Sequence, residues 1–224
     1  MNSEDAKERR AAWAMLVICP LLMMAEFAYV TMGYAHGLEA GHPMEYLQTT
    51  CVLWALISMV LPILRILRVA ALPLWFSVLV YGDMCLFVVS LCQGMYFEML
   101  WWPDFTHVIS SAVVASLAFL ALCLMQARSP PHVSLGARGG IVAATIIVAF
   151  GFGAIWEIME GFTDIITQVD YMSYGAQHTI SNFNADMLGA FLMGAVAWAI
   201  LTRHDVMYVA SKIRIGRKNI DVDG

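Results

Sequence analysis

Charged side chains are scarce in this sequence. Only 13% of its 224 residues are Asp, Glu, Lys or Arg, whereas ordinary soluble domains have roughly 25%. Hydrophobic residues make up 61% of the chain, and the mean hydropathy is +0.73. A chain of this length buries too little surface to hide so many apolar side chains inside a soluble globule. The composition therefore predicts an integral membrane protein.

A basic excess is also lacking, since 12 Lys and Arg stand against 17 Asp and Glu. The chain therefore has no surplus of positive charge to neutralise phosphates, which excludes nucleic acid as a partner. Phosphate loops, dinucleotide fingerprints and Cys-x-x-Cys pairs are absent as well. All five cysteines lie in apolar runs, where a thiol usually behaves as a small hydrophobe, so we expect neither a disulfide framework nor a zinc ribbon. They are Cys19, Cys51, Cys85, Cys92 and Cys123.

Six apolar runs have the length of about 20 residues that a helix needs to cross a bilayer. The connections between them are short, so no soluble domain is expected between spans. We predict an all-α, polytopic membrane protein, built as a six-helix bundle that forms one transmembrane domain over residues 1–224. A polar leader covers residues 1–10 and a basic tail covers 202–224. The predicted spans are 11–34, 47–64, 69–95, 105–126, 139–164 and 179–201.

The basic residues indicate the orientation, because cytoplasmic loops retain Lys and Arg. All twelve fall in the two termini and in the loops that follow the second and fourth spans. Both termini are therefore predicted to be cytoplasmic, in a multi-pass protein of the inner or plasma membrane. The tail is expected to be solvated and held to anionic headgroups by its charge. The first span is too long for a signal-peptide core and follows an acidic leader, so it is expected to stay as a helix.

Ionisable side chains inside spans are costly and are functional candidates by default. Here they gather on the fourth, fifth and sixth spans, and helical spacing places those of each span on one face. In the predicted orientation all three polar faces lie in the outer half of the bilayer. The candidates are Asp104 and His107 in the fourth span, Glu157, Glu160 and Asp164 in the fifth, and His178, Asn182 and Asp186 in the sixth.

Five carboxylates in one apolar layer cannot all stay ionised without compensation, and no Lys or Arg lies at that depth. A bound cation, shared protons or a water-filled cavity would each resolve the conflict. Paired carboxylates with His from neighbouring helices are typical of metal sites in bundles. We therefore predict a divalent metal ion, with Asp104 and His107 as a catalytic pair in which Asp104 orients the imidazole. The predicted ligands are Glu157, Glu160, Asp164, His178 and Asp186.

Two further carboxyl groups, Glu26 and Asp83, lie near the middle of the first and third spans. They are close enough to that depth to reach the floor of such a site. For each one taken alone, we expect a buried structural carboxyl group that is hydrogen-bonded to a neighbour.

The same polar segments resemble a known family. They are similar to the motifs of the YjdF-like family of bacterial inner-membrane proteins of unknown function, and more distantly to the VanZ-like family associated with teicoplanin resistance. His178 and Asn182 stand where that family usually has Asp, so the resemblance implies a mixed carboxylate and imidazole site without assigning a reaction. The motifs that carry it, between residues 104 and 190, are Asp104-x-x-His107, Glu157-x-x-Glu160 and His178-Thr179-x-x-Asn182-x-x-x-Asp186-x-x-Gly189-Ala190.

Three functions compete on these observations. The first is a metal-dependent hydrolase or transferase that acts on a lipid or a lipid-linked headgroup at the outer face. The second is a cation- or proton-coupled transporter or resistance factor, which is weakened by the lack of inverted repeats and broken helices. The third is an accessory subunit of a larger membrane complex, in which the polar faces join helices. The expected partners are membrane lipids, a lipid-linked substrate and other membrane subunits.

Overall fold

The computed structural model describes residues 3–39, 41–130, 136, 138–167 and 176–215. Within these residues the chain is almost entirely helical, and six helical segments are long and apolar enough to cross a membrane. This confirms the predicted six-span, all-α membrane protein. The elements are α1 (Ser3–Thr31), α2 (His36–Glu39), α3 (Met44–Ser58), α4 (Val60–Ile66), β1 (Ala70–Ala71), α5 (Leu74–Cys92), α6 (Met95–Glu98), α7 (Trp102–Arg128), α8 (Arg138–Thr167), α9 (Ala176–Arg203), α10 (Val206–Ser211) and β2 (Arg214–Ile215).

The chain forms two compact units. The first comprises Met1–Trp102 with Lys212–Gly224, and the second comprises Pro103–Ser211. The first unit therefore holds the first three spans and the second unit holds the last three. The single transmembrane domain expected from the sequence stays a prediction.

In the first unit, α1 packs against α3, α4 and α5. The buried core between these helices is apolar, and several of its side chains have no accessible surface. Close packing of this kind fixes the helices relative to one another, because a gap between them would forfeit the contacts of the side chains on both sides. The core consists of Met23, Val30, Ala35, Leu47, Cys51, Ala55, Val88, Leu91 and Cys92.

The second span consists of two helices, α3 and α4, which meet at Met59. Pro62 lies in the first turn of α4 and has no backbone N–H, so the carbonyl of Ser58, four residues earlier, lacks its helical donor. The hydroxyl of Tyr81 on α5 donates to this carbonyl at 2.8 Å. The interruption that Pro62 causes is thus satisfied by a side chain from the neighbouring span.

The third span begins at Leu74 rather than at residue 69. Pro73 precedes the helix in an extended conformation, and the residue before a proline is disfavoured in the helical region. The segment ahead of it is instead extended, and Ala70 and Ala71 pair antiparallel with Ile215 and Arg214. The sequence predicts only helices, so these two short strands are a difference between the prediction and the structure.

The C-terminal tail differs from the solvated segment expected from its charge. As far as residue 215, where the described part ends, it is partly packed, and Val209, Ala210 and Ile213 are buried. Arg214 lies 3.4 Å from Oε2 of Glu8, which also accepts a hydrogen bond from Arg65 at 2.9 Å. One carboxylate near the N-terminus therefore holds two guanidinium groups from later segments of the same unit.

In the second unit, α8 packs along α9. Gly194 permits the approach, because a Cβ atom there would come within 2.7 Å of the Ile146 side chain. A Cβ atom at Gly189 would collide with the backbone oxygen of Val108 on α7 and come within 3.0 Å of the Ser111 Cβ atom. Small residues at these positions therefore let the three helices approach closely enough for short polar side chains to meet.

Candidate functional site

Three polar side chains from three helices meet inside the second unit. His107 of α7 places its Nδ1 atom 3.2 Å from Oδ1 of Asp186 on α9 and its Nε2 atom 3.9 Å from Oε1 of Glu157 on α8. One possible ligand atom from each of the three lies within 4.8 Å of the other two. We call His107, Glu157 and Asp186 the polar triple.

The acidic members of the polar triple are deeply buried. The exposed fraction of the side chain is 2% for Glu157 and 5% for Asp186, whereas it is 17% for His107. Neither oxygen of Glu157 receives a hydrogen bond from a described residue, although Thr179 and Asn182 lie nearby. Oδ2 of Asp186 also receives none from the described part of the chain. Three carboxylate oxygens are therefore held away from water with no well-formed hydrogen bond from the described residues, while the side chains of Thr179 and Asn182 lie close enough to interact with Glu157.

The local sequence explains how these groups come so close. Gly153 lies one turn before Glu157 on α8, and a Cβ atom there would overlap the Asp186 carboxylate. The hydroxyl of Ser111, one turn after His107, donates at 2.7 Å to the backbone carbonyl of Asp186. Because glycine has no side chain, Gly153 leaves room for the Asp186 carboxylate. The hydrogen bond from Ser111 holds the backbone of Asp186 against α7.

Asp104 has a hydrogen-bond partner other than His107, which it was predicted to orient. Its Oδ1 atom accepts a hydrogen bond from the hydroxyl of Ser181 at 2.7 Å. The Nδ1 atom of His107 instead faces Asp186. Asp104 and His107 lie three residues apart on one helix, but the residues that face them on α9 decide their partners. Asp104 therefore ties α7 to α9 beside the polar triple.

The other predicted ligands lie outside the polar triple. Glu160 is half-buried, and its Oε1 atom accepts a hydrogen bond from the Trp156 indole at 2.7 Å. His178 is half-buried, and its Nδ1 atom lies 3.3 Å from the amide nitrogen of Asn182. Asp164 is half-buried one turn beyond Glu160. Among the described residues, His107, Glu157 and Asp186 are the one group of three whose geometry suits a metal ion.

Glu26, the carboxyl group near the middle of the first span, has a hydrogen-bond partner within the first unit. Gln93, the residue that follows α5, donates a hydrogen bond to Oε2 of Glu26 on α1 at 3.2 Å, within the first unit. Glu26 is half-buried. It therefore has the local hydrogen bond expected of a structural carboxyl group.

Sequence reasoning missed the two serines that support the site, Ser111 and Ser181, and did not connect Gly153 with Asp186. Gly153, Ser111 and Ser181 each lie about one helical turn from a predicted site residue, so the spacing did carry a signal. Small residues and hydroxyl residues are common wherever membrane helices approach one another, however, and the spacing alone does not separate support from ordinary packing.

The charge of the polar triple limits what it can do chemically. The interiors of α7, α8 and α9 contain no Lys or Arg, because the basic residues of these helices are Arg128, Arg138 and Arg203 at their ends. One imidazolium would offset only one of the two carboxylates. The arrangement can therefore accept a divalent cation between the three side chains, or hold one or more protons among them.

The comparison with protein families gives one match, to a family described as "Predicted membrane protein (DUF2238)", over residues 15–205. This range includes all three helices of the site and most of the first unit. No curated protein and no solved structure matches the chain. The match covers most of the sequence, and the protein therefore belongs to the DUF2238 family of predicted membrane proteins.

Proposed function

We propose that this protein is an intramembrane metal-dependent hydrolase or transferase that acts on a lipid or a lipid-linked substrate. A divalent cation is held by His107, Glu157 and Asp186. The observation that carries the proposal is the convergence of three potential ligand atoms within 4.8 Å, from three helices, at a place where the carboxylates are buried.

The buried negative charge of the polar triple favours a bound cation. A buried carboxylate without a counter-charge costs several kcal/mol. Glu157 and Asp186 are two buried carboxylates that share one imidazole, that of His107, so a single imidazolium would compensate only one of the two charges. A divalent cation neutralises both while leaving the imidazole neutral, the form in which histidine binds metals. One nitrogen and two carboxylate ligands suit zinc, manganese or ferrous iron better than calcium, which prefers oxygen ligands alone.

Three protein ligands would leave a coordination position for water or substrate, as in catalytic rather than structural zinc sites. The metal would supply a Lewis acid and an activated water. His107 is the most exposed member of the polar triple, so it lies on the side from which a substrate can enter. We assign Glu160, Asp164 and His178 to the surroundings of the cation, where their charges and hydrogen bonds adjust its electrostatic environment. Asp104 has a structural role, because it joins α7 to α9 through Ser181.

The exposed apolar side chains of α8 near Glu157 favour a lipid substrate. The helix is long and apolar enough to cross a membrane, and several of its large apolar side chains near Glu157 are exposed and would contact acyl chains. A substrate with an acyl chain reaches such a site laterally, without leaving the bilayer. The exposed side chains are Ile155, Ile158, Met159 and Phe162.

The location and the closer kinship belong to the same proposal. The distribution of Lys and Arg favours an inner or plasma membrane with the site in the outer half of the bilayer. The motifs around the polar triple favour YjdF-like relatives, with a more distant VanZ-like kinship.

Proton-coupled transport is the second candidate, and a specific contact favours it. His107 lies between two carboxylates, with one ring nitrogen facing each. An imidazole in this position would hold a proton that compensates part of the acidic charge, as in proton relays of membrane transporters. This function would need no stoichiometric metal, so metal analysis separates the two candidates.

The test begins with metal analysis of the full chain, purified in detergent and freed of loosely bound ions. We expect about one equivalent of a transition metal in the wild type, a large loss in Glu157→Gln, and retention in the matched control Asp104→Asn.

The metal-loaded wild type and Glu157→Gln are then incubated with a total membrane lipid extract. A lipid species that only the wild type consumes would support the enzyme. Metal-free wild type would contradict the metal site, and stoichiometric metal without lipid conversion would contradict the proposed reaction.

A further inference from the structure

We propose that Cys51 and Cys92 form a disulfide bond between α3 and α5 in the native protein. The bond lies in the first unit and involves none of the residues of the polar triple. It departs from the expectation that every cysteine is a simple apolar side chain. The proposal rests on the geometry of the two thiols, on the way the end of α5 is held, and on the side of the membrane toward which the pair lies.

The two sulfur atoms are already in contact. Sγ of Cys51 lies 3.6 Å from Sγ of Cys92, although the residues are 41 positions apart in the chain. Both side chains have an exposed fraction of 0% and lie in the core formed by α1, α3 and α5. A disulfide shortens this separation to about 2 Å, which a small rotation of each side chain can supply when the Cβ atoms already face one another.

The backbone next to Cys92 is fixed by close contacts. Gly94 adopts a φ of +72°, a conformation that favours glycine, and it ends the turn after α5. A Cβ atom at Gly37 would come within 2.5 Å of the Leu91 carbonyl oxygen, so α2 packs directly on the last turn of α5. The end of α5 therefore has little freedom to move Cys92 away from Cys51.

The pair lies toward the end of the first unit that carries no basic residues. Cys92 is the last residue of α5, and Cys51 lies about two turns into α3. Arg65 and Arg68 lie at the opposite ends of these spans, whereas residues 36–46 and 96–104 contain no Lys or Arg. The positive-inside rule places the end with the cysteines on the side of the membrane opposite the cytoplasm. Thiols are oxidised to disulfides in that compartment, whereas the cytoplasm keeps them reduced.

The oxidation is a thiol–disulfide exchange that occurs while the chain folds, before the core closes. A disulfide of the compartment outside the cytoplasm is attacked by one cysteine thiolate, and the resulting mixed disulfide is resolved by the other cysteine. The two thiols together give up two protons and two electrons. The external disulfide is reduced to two thiols, and one sulfur–sulfur bond forms between Cys51 and Cys92.

The experiment counts free thiols in the full chain. Cells that produce the protein are treated with N-ethylmaleimide before lysis, and the protein is denatured without reductant, alkylated again and weighed intact. Since the chain has five cysteines, we expect three adducts before reduction and five when reduction precedes alkylation. Peptide mass spectrometry should find the peptides of Cys51 and Cys92 joined in more than half of the molecules.

The chain offers a matched control. Cys19 and Cys85 also contact each other, but near the middle of α1 and α5. Cys51→Ser should show four adducts with or without reduction, whereas Cys19→Ser should show two before reduction and four after it. Five adducts in unreduced wild type, a crosslink in less than half of the molecules, or a crosslink between other cysteines would overturn the proposal. The wild-type count needs no variant to fold.

Discussion

The Nδ1 atom of His107 lies 3.2 Å from Oδ1 of Asp186, although the two residues are 79 positions apart and belong to different helices. This contact joins α7 to α9 at the site. The other ring nitrogen of His107 faces Glu157 on α8, so the imidazole lies between carboxylates from two other helices. The site is therefore assembled from three spans, and a change in any one of them is expected to act on the other two.

The first prediction concerns stability with and without metal. In a chelator, Glu157→Gln should be at least as stable as the wild type, because it removes one of two buried carboxylates that the single imidazole of His107 cannot both neutralise. Added metal should stabilise the wild type by about 2.7 kcal/mol at a hundred times the dissociation constant. Glu157→Gln should gain little, and Asp104→Asn should gain as much as the wild type. Thermal unfolding in detergent measures all three, and an equal gain in Glu157→Gln would exclude this carboxylate as a ligand.

The second prediction concerns the space beside Asp186. Gly153→Ala places a methyl group against the Asp186 carboxylate, so it should displace that carboxylate, reduce metal binding and cost about 1–3 kcal/mol from overpacking. Gly151→Ala on the same helix is the control, because a Cβ atom there meets nothing within 4 Å. It should be neutral, or stabilising by up to about 1 kcal/mol. Metal stoichiometry and unfolding temperature report the difference, and identical behaviour of the two variants would contradict the prediction.

The third prediction concerns the hydrogen bond from Tyr81 to the Ser58 carbonyl, which Pro62 leaves without a backbone donor. Tyr81→Phe removes the donor to the buried Ser58 carbonyl and should cost about 1–3 kcal/mol. Pro62→Ala restores a backbone N–H in the position that normally serves this carbonyl. Tyr81→Phe should therefore cost less in the Pro62→Ala background than in the wild type. A double-mutant cycle measures this coupling, and strict additivity of the two changes would show that the hydroxyl does not replace the missing donor.

The fourth prediction concerns orientation. Both termini and the loops near Arg65 and Arg128 are expected in the cytoplasm, while His42, Trp101 and Tyr174 are expected outside. Tyr174 and its neighbour Ser173 lie outside the described residues, so Leu100, with an exposed fraction of 96%, is the better outward position.

A membrane-impermeant maleimide applied to intact cells should label Leu100→Cys, and it should label Ser129→Cys only after the cells are opened. The unmodified chain, whose native cysteines are buried or half-buried, supplies the background. Labelling of Ser129→Cys in intact cells with protection of Leu100→Cys would reverse the orientation.

The fifth prediction concerns acid sensitivity outside the spans. Burial lowers the pKa of His42 below its ordinary value of 6.5, because the charged form is poorly solvated beside α3. The unfolded chain then binds more protons than the folded one as the pH falls through 6.5, so stability should fall toward acid. His42→Gln should lose less stability than the wild type between pH 7.5 and pH 5. His36→Gln, which alters an exposed ring, should lose as much as the wild type, and a His42→Gln profile identical to the wild type would contradict the assignment.

Much of the fold was readable from the sequence. The six spans, the short connections and the polar faces of the last three spans all follow from hydropathy and helical spacing, because the bilayer requires long apolar helices with internally satisfied backbones. Span boundaries were less accurate where local chemistry intervened. At Pro73 the helix begins later than the apolar run does, since hydropathy does not register the missing N–H or the restricted φ of proline.

The tertiary structure alone decided the partners within the polar layer. The sequence places Asp104 beside His107 and Glu157 beside Glu160, because those pairs share a helix face. In the structure, Asp104 pairs with Ser181 and His107 meets Asp186 and Glu157. Periodicity fixes the direction of a side chain within its own helix, whereas the rotation and approach of neighbouring helices depend on side-chain volumes at contacts such as Gly153 and Gly189. Those contacts are non-local, and no spacing along a single chain segment encodes them.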